Sequence, residues 1–142
     1  KAFDLLEEDN SFVFNSDILW NDVHMEQLRN MSEKFNTKEM DALLGLSHIN
    51  KLEGYDGLGD FCFTDSQIIE RYKQGNENPY VYSGVQILKK HLLNSISDSV
   101  FSINKAWDIA IKSNTLYGFK LEHQIMHIGT PEMVERVNND KN

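Results

Sequence analysis

The chain has 142 residues, 40% hydrophobic and 11% aromatic, and its 14 Lys and Arg against 22 Asp and Glu give a formal charge of −8. That length suits one domain, residues 1–142, with a real core, and a charge of that sign is wrong for wrapping a phosphate backbone by counterion release, so nucleic acid is not an expected partner. The single cysteine, Cys62, excludes an internal disulfide; its neighbours Phe61 and Phe63 predict a buried thiol, and a reducing cytoplasm fits.

Lys1 to Leu6 reads as the end of a helix, with Phe3 and Leu6 on one side, and nothing before it in the chain starts that helix. The start, Lys1 to Asn10, is acidic where a signal peptide is basic and then apolar, and no run approaches the length of a membrane span, so no membrane partner is expected. Phe12-Val13-Phe14 is a short apolar run that predicts a buried strand, stopped by Asn15-Ser16-Asp17. In an open α/β sheet ligands bind at the carboxyl ends of strands, which makes Asp17 a candidate for chemistry. The same three residues are equally good at making a turn, because their side chains bond their own backbone.

Val23 to Phe35 spaces Leu28, Met31 and Phe35 by three and four, one apolar stripe of an amphipathic helix. Asp41 to Leu46 is nearly all apolar, as expected of a strand covered on both faces, and predicts a parallel sheet. Gly54, Gly57 and Gly59 then lead to Gly59-Asp60-Phe61, either a surface loop or a mobile loop delivering an acid. No phosphate-cradle spacing accompanies these glycines.

Phe61 to Phe63 and Ile68 to Tyr72 predict a hairpin, and 75–79 the clearest loop. Tyr80 to Leu88 predicts a central strand interrupted by Ser83-Gly84, where the glycine marks either close approach of a ligand or backbone, or a β-bulge. Lys89 to Ile96 and a longer helix capped by Ser102, with Ile103, Trp107, Ala110 and Ile111 on one face, are packing elements. Leu116 to Leu121 and Gln124 to Ile128 predict two strands, the second running through His127 into Gly129-Thr130-Pro131. There Thr130 as N-cap, Pro131 as first helical residue and Glu132 in the first turn start a helix.

Asn15-Ser16-Asp17, Gly59-Asp60-Phe61, Tyr82-Ser83-Gly84 and 125–131, in that order, resemble the sugar-1-phosphate nucleotidyltransferases. The resemblance is greatest to the bacterial N-acetylmuramate-1-phosphate uridylyltransferase and mannose-1-phosphate guanylyltransferase type, and 101–107 with Leu116-Tyr117-Gly118 extends it. It implies an α/β, Rossmann-like, mixed but mainly parallel sheet flanked by helices. It also implies transfer of a nucleoside monophosphate from a nucleoside triphosphate to a sugar 1-phosphate, with magnesium and release of pyrophosphate. Carried over residue by residue, it makes Asp17 the catalytic metal-holding acid and sets Asn15 near the nucleotide. Asp60 falls on the sugar phosphate, and Ser83 and Gly84 on the sugar pocket.

Two positions depart from the family pattern. Ser16 replaces a glycine beside the phosphates, and His127 stands where the second metal-holding aspartate is common. Imidazole suits manganese better than magnesium, so His127 is either a ligand that shifts metal preference or a residue that bonds the backbone at a strand end. The family's Gly-rich triphosphate loop with Arg and Lys has no counterpart in these 142 residues. The resemblance therefore implies an incomplete nucleotidyltransferase fold, inactive alone and completed by an N-terminal companion polypeptide or by self-association. A non-catalytic remnant of the same fold is the alternative, and a metal-dependent glycosyltransferase a third reading that lacks the usual Asp-x-Asp pair.

Overall fold

The computed structural model describes residues 8–52, 55, 57–64, 67–123 and 125–139. The helix end read at 1–6, Gly54 and the side chains of His127 and Arg136 lie outside that description.

The first apolar run forms strand β1 (Asn10–Phe14), followed by a turn at Ser16 and Asp17 and the short strand β2 (Ile18–Leu19). Helix α1 (Asp22–Lys34) follows, and its buried residues include the predicted Leu28 and Met31. Next come β3 (Ala42–His48), a 3₁₀ turn (Ile49–Lys51), the hairpin strands β4 (Phe61–Phe63) and β5 (Ile69–Arg71), and the long strand β6 (Tyr80–Lys89). Helices α2 (Lys90–Asn94) and α3 (Asn104–Lys112) lead to β7 (Leu116–Lys120), β8 (Met126–His127) and helix α4 (Pro131–Asn139). The Thr130 hydroxyl accepts the Met133 N–H at 3.3 Å at the predicted start of α4, whereas the N-cap of α3 is Ile103 rather than the expected Ser102, whose hydroxyl one residue earlier accepts the Asn104 N–H at 3.3 Å.

The sheet runs β5-β4-β6-β3-β7, with β1 added to β6, and β2 and β8 form a separate two-stranded ribbon. Helices flank the sheet, as expected, and it is mixed. The expected parallel majority is corrected by the pairing. β3 is parallel to β7 but antiparallel to β6, and β1 with β6, β4 with β6 and β4 with β5 are also antiparallel. Parallel neighbours need a crossover, usually helical. Between β3 and β6 the described elements are only a 3₁₀ turn and a hairpin, whereas α2 and α3 precede β7.

Alternation along the strands builds one apolar layer on each face of the sheet. Ala42, Leu44 and Leu46 of β3 and Leu88 of β6 pack with Leu92 of α2 and Ala106, Trp107 and Ala110 of α3. Leu43, Val85 and Ile87 point the other way, onto Leu28 and Met31 of α1 with Leu121 and Ile125. This doubly covered sheet explains the uninterrupted apolar run of β3.

β1 is different. Phe12 and Phe14 remain 37% and 46% exposed, so the strand is not the buried one its composition predicts. The reason is position: β1 pairs with β6 alone, and no strand lies against its other edge among the described residues.

Candidate functional site

The site is organised by an irregularity in β6. Leu44 pairs with Gln86 and Leu46 with Tyr82, so two steps along β3 match four along β6, and Ser83-Gly84-Val85 bulge outward. Gly84 has φ +77°, a conformation that L side chains rarely adopt. A Cβ placed there would meet Ile18 Cγ1 at 2.6 Å and Asn15 Cβ at 3.1 Å. Bulge and close backbone approach are thus the same feature. The turn after β1 lies against Gly84, whose carbonyl accepts the Asn15 N–H at 2.7 Å.

Beside this bulge is a cleft of about 340 Å³. Asn15, Ser83 and Gly84 line it with Gly129 and Thr130, which lead into α4, and its apolar wall includes Leu52, Tyr55, Ile125 and Met133. Three of the predicted site residues are therefore brought together. The Ser83 side chain is 1% exposed and its hydroxyl bonds Ser47 Oγ at 2.9 Å, so the serine presents little more than backbone to the cavity.

Asp17 and His127 are neighbours through the ribbon. Ile18 pairs with His127, and Ile128 N–H donates to the Asp17 carbonyl at 2.8 Å. The ribbon thus brings two segments 110 positions apart in the chain, residues 17 and 127, to one edge of the molecule. Among the described residues no group of three His, Cys, Asp or Glu side chains could hold an ion. Magnesium needs less than a full protein cage, because one or two carboxylates commonly hold it with water and substrate phosphates.

Asp60 is not brought to the cleft wall. Its N–H donates to the Tyr80 carbonyl at 2.8 Å, and its Oδ2 accepts the Tyr82 N–H at 3.0 Å. On the next alternate residue, Gly84, the partner is Asn15. The Asp60 carboxylate fills the gap on that edge of β6 between β4 and β1, standing in for a strand.

Other titratable groups are arranged for structure. Burial, with Glu70 adjacent, pushes the Cys62 thiol above its ordinary range, the opposite of what a nucleophile needs. Glu132, at the start of α4, has its carboxyl held below the ordinary range by its own backbone N–H and then by the Thr130 hydroxyl. Sequence reasoning missed the apolar wall. Leu52, Ile125 and Met133 look like ordinary core positions, and only the folded chain, which pairs Leu52 with Ile125 and sets Met133 of α4 beside them, makes them line a cavity.

No protein-family model matches the chain, and no curated protein matches it in sequence. Solved structures do match in fold, and among them are a glucose-1-phosphate thymidylyltransferase by assignment and an inositol-1-phosphate CTP transferase. HddC from Yersinia pseudotuberculosis superposes with a TM-score of 0.69 at 15% identity, covering 99% of this chain and 59% of HddC. HddC complexed with GMP-PN gives 0.68 over the same shares at 15% identity. A protein of Bacillus anthracis assigned as a glucose-1-phosphate thymidylyltransferase, in complex with sucrose, gives 0.66 at 13% identity over 97% of this chain and 56% of that one. The inositol-1-phosphate CTP transferase from T. maritima gives 0.62 at 16% identity over 92% and 53%. The chain therefore has a sugar-phosphate nucleotidyltransferase-like fold, and it spans between 53% and 59% of the length of these structures.

Proposed function

We propose that this chain carries the sugar-phosphate and metal side of a sugar-1-phosphate nucleotidyltransferase working in the cytoplasm. The observation that carries the reading is the convergence of Asn15, Gly84 and Gly129-Thr130 on one cleft, beside a ribbon that sets Asp17 next to His127. The likeness in fold to HddC and the inositol-1-phosphate CTP transferase supports it. In the proposed reaction an oxygen of the sugar phosphate attacks the α-phosphorus of a nucleoside triphosphate. One P–O bond forms, the bond to the bridging oxygen breaks, and pyrophosphate leaves with the electron pair.

Each residue then has a bounded task. Asn15 orients the nucleotide, the Ser83-Gly84 bulge shapes the floor for the sugar, and Asp60 holds that floor by its bond to Tyr82. Asp17, with His127, holds the divalent ion, magnesium or manganese. That ion supplies charge neutralisation and alignment of the phosphates. None of the described residues lining the cleft is basic. The Gly-rich triphosphate loop with Arg and Lys that the resemblance leads one to expect has no counterpart in these 142 residues, so in this reading they alone give negligible turnover, and a companion polypeptide supplies the Lys or Arg.

The test is reconstitution. The chain is mixed with the part of HddC that it does not cover, a sugar 1-phosphate, UTP or GTP, and magnesium, and pyrophosphate is measured. Release that depends on both polypeptides and is lost in Asp17→Asn supports the reading. No release, with no heat on titrating UTP, GTP or manganese into the chain, replaces it with a non-catalytic module. The lack of basic residues among the described ones on the cleft wall is the observation that favours that second reading.

A further inference from the structure

A second cavity, of about 410 Å³, lies where the β4–β5 hairpin meets α1 and β7. The bridge Ile68↔Tyr117 brings the hairpin to β7, whose ladder partner is β3. The lining includes Gln27 and Lys34 of α1, Phe63 of β4, and Phe119 and Lys120 of β7, and it shares no residue with the lining of the cleft. Gln27 and Lys34 stand about two helical turns apart and so share one face of α1.

The polar groups here are arranged as donors. Gln27 is 7% exposed, and its Oε1 accepts the Glu122 N–H at 2.9 Å. That bond fixes which way the amide is turned, because a backbone N–H needs oxygen opposite it. The Nε2 of the same amide is buried and donates to nothing, a state that native interiors rarely leave a donor in. Two ammonium groups are held at the same place by aromatic rings. Lys34 Nζ lies 5.4 Å from the Phe119 centroid, and Lys120 Nζ lies 4.7 Å from that of Phe63 and 5.5 Å from that of Tyr80. Among the described residues the carboxylate in the lining is that of Glu122, and it sits 3.7 Å from Lys51 Nζ.

We propose that this cavity is a binding site for a small phosphorylated molecule, its phosphate oxygens taken by Gln27 Nε2 and by the ammonium groups of Lys34 and Lys120. An unspent amide donor calls for an acceptor. Two cations beside it favour a group with about two negative charges at neutral pH, which a phosphate monoester has and a carboxylate lacks. The volume is that of a small-molecule pocket, and Phe63 and Phe119 offer an apolar wall to the organic part. The site lies outside the proposed transferase cleft, so it stands whether or not that reading does.

The test is titration of the whole chain with phenyl phosphate, inorganic phosphate and benzoate, followed by NMR of the amide groups. Both phosphates are expected to move the Gln27 side-chain signals saturably, with benzoate weaker than phenyl phosphate by about tenfold or more. Lys34→Ala and Lys120→Ala alter exposed residues, and each weakens phenyl phosphate about tenfold. Gln27→Glu keeps an oxygen for the Glu122 N–H but sets a carboxylate where the donor stood, and it abolishes binding. If that variant loses its native circular dichroism, the two lysine variants decide alone. No movement at Gln27, the result expected if Asp65, which lies outside the described residues, already pairs with these lysines, overturns the proposal. So does movement at Gly129 and Thr130 alone, which puts phosphate in the cleft, and so does an affinity that neither lysine variant changes. Benzoate binding as tightly as phenyl phosphate overturns the assignment to a phosphorylated ligand.

Discussion

From Gln86 to Leu88, β6 is laddered on both edges, by β1 and by β3, and its alternate side chains fill the two apolar layers. From Tyr80 to Tyr82 the same strand pairs with β3 up to a bulge at Ser83-Gly84-Val85, its outer edge is closed by the Asp60 carboxylate and the Asn15 N–H, and it borders a cleft. Both ends are built from the same run of β-favouring residues. The regular end derives its stability from area buried on two faces. The bulged end gives up regular pairing to bring the chain after β1 within van der Waals reach of a glycine.

The contrast predicts a large, purely structural effect at the regular end. Leu44 is fully buried, and Leu44→Ala is expected to cost about 2–5 kcal/mol, seen in urea as a lower midpoint with an unchanged slope. At the bulged end, Gly84→Ala puts a Cβ at positive φ against Ile18 and Asn15. It costs about 1–3 kcal/mol and disturbs the cleft more than Leu44→Ala does, which chemical shifts of Asn15 and Thr130 will register. A neutral Gly84→Ala would mean that the bulge yields freely and that the two ends do not differ as described.

Asp60 sharpens the comparison at the next level. Asp60→Ala leaves the Tyr82 N–H without its acceptor and is expected to cost about 1–2 kcal/mol, with Asp60→Asn recovering most of it because the amide oxygen still accepts. Equal losses for the two variants would show that the charge of Asp60, rather than its acceptor, matters.

The smallest effect lies where β6 ends. Asp41 there meets Lys89 Nζ at 3.0 Å and His91 Nε2 at 3.3 Å. Burial pushes its carboxyl up, but hydrogen bonds from Lys89 and Thr115 and the charges of Lys89 and His91 outweigh that and hold it below the ordinary carboxylate range. A carboxyl lower in the folded than in the unfolded chain contributes stability above its unfolded pKa, and loses it as pH falls through the folded one. The acid limb of a stability profile should therefore flatten in Asp41→Asn, with little change in shape above the carboxylate range.

Much of this was legible in the residues. The stripe of α1, the Thr130 start, the antiparallel pairing of β4 with β5 and the buried thiol of Cys62 all follow from spacing or from near neighbours. The grouping of Asn15 with Ser83 and Gly84 was available through the family resemblance. The role of Asp60 as a filler on the β6 edge was not, because nothing near it in the chain announces that Tyr82 N–H lacks a strand.

By itself the sequence determined which described segments are helices and most of the strands, though not β2, because helical hydrogen bonds and caps close within four residues and longer runs of strand formers declare themselves by type. Only the tertiary structure decided strand direction, the exposure of Phe12 and Phe14, and the meeting of residues 15, 84 and 129 around one cavity. Strand partners are chosen across long stretches of chain, so a residue's outward or inward fate depends on a neighbour that its own surroundings in sequence do not name.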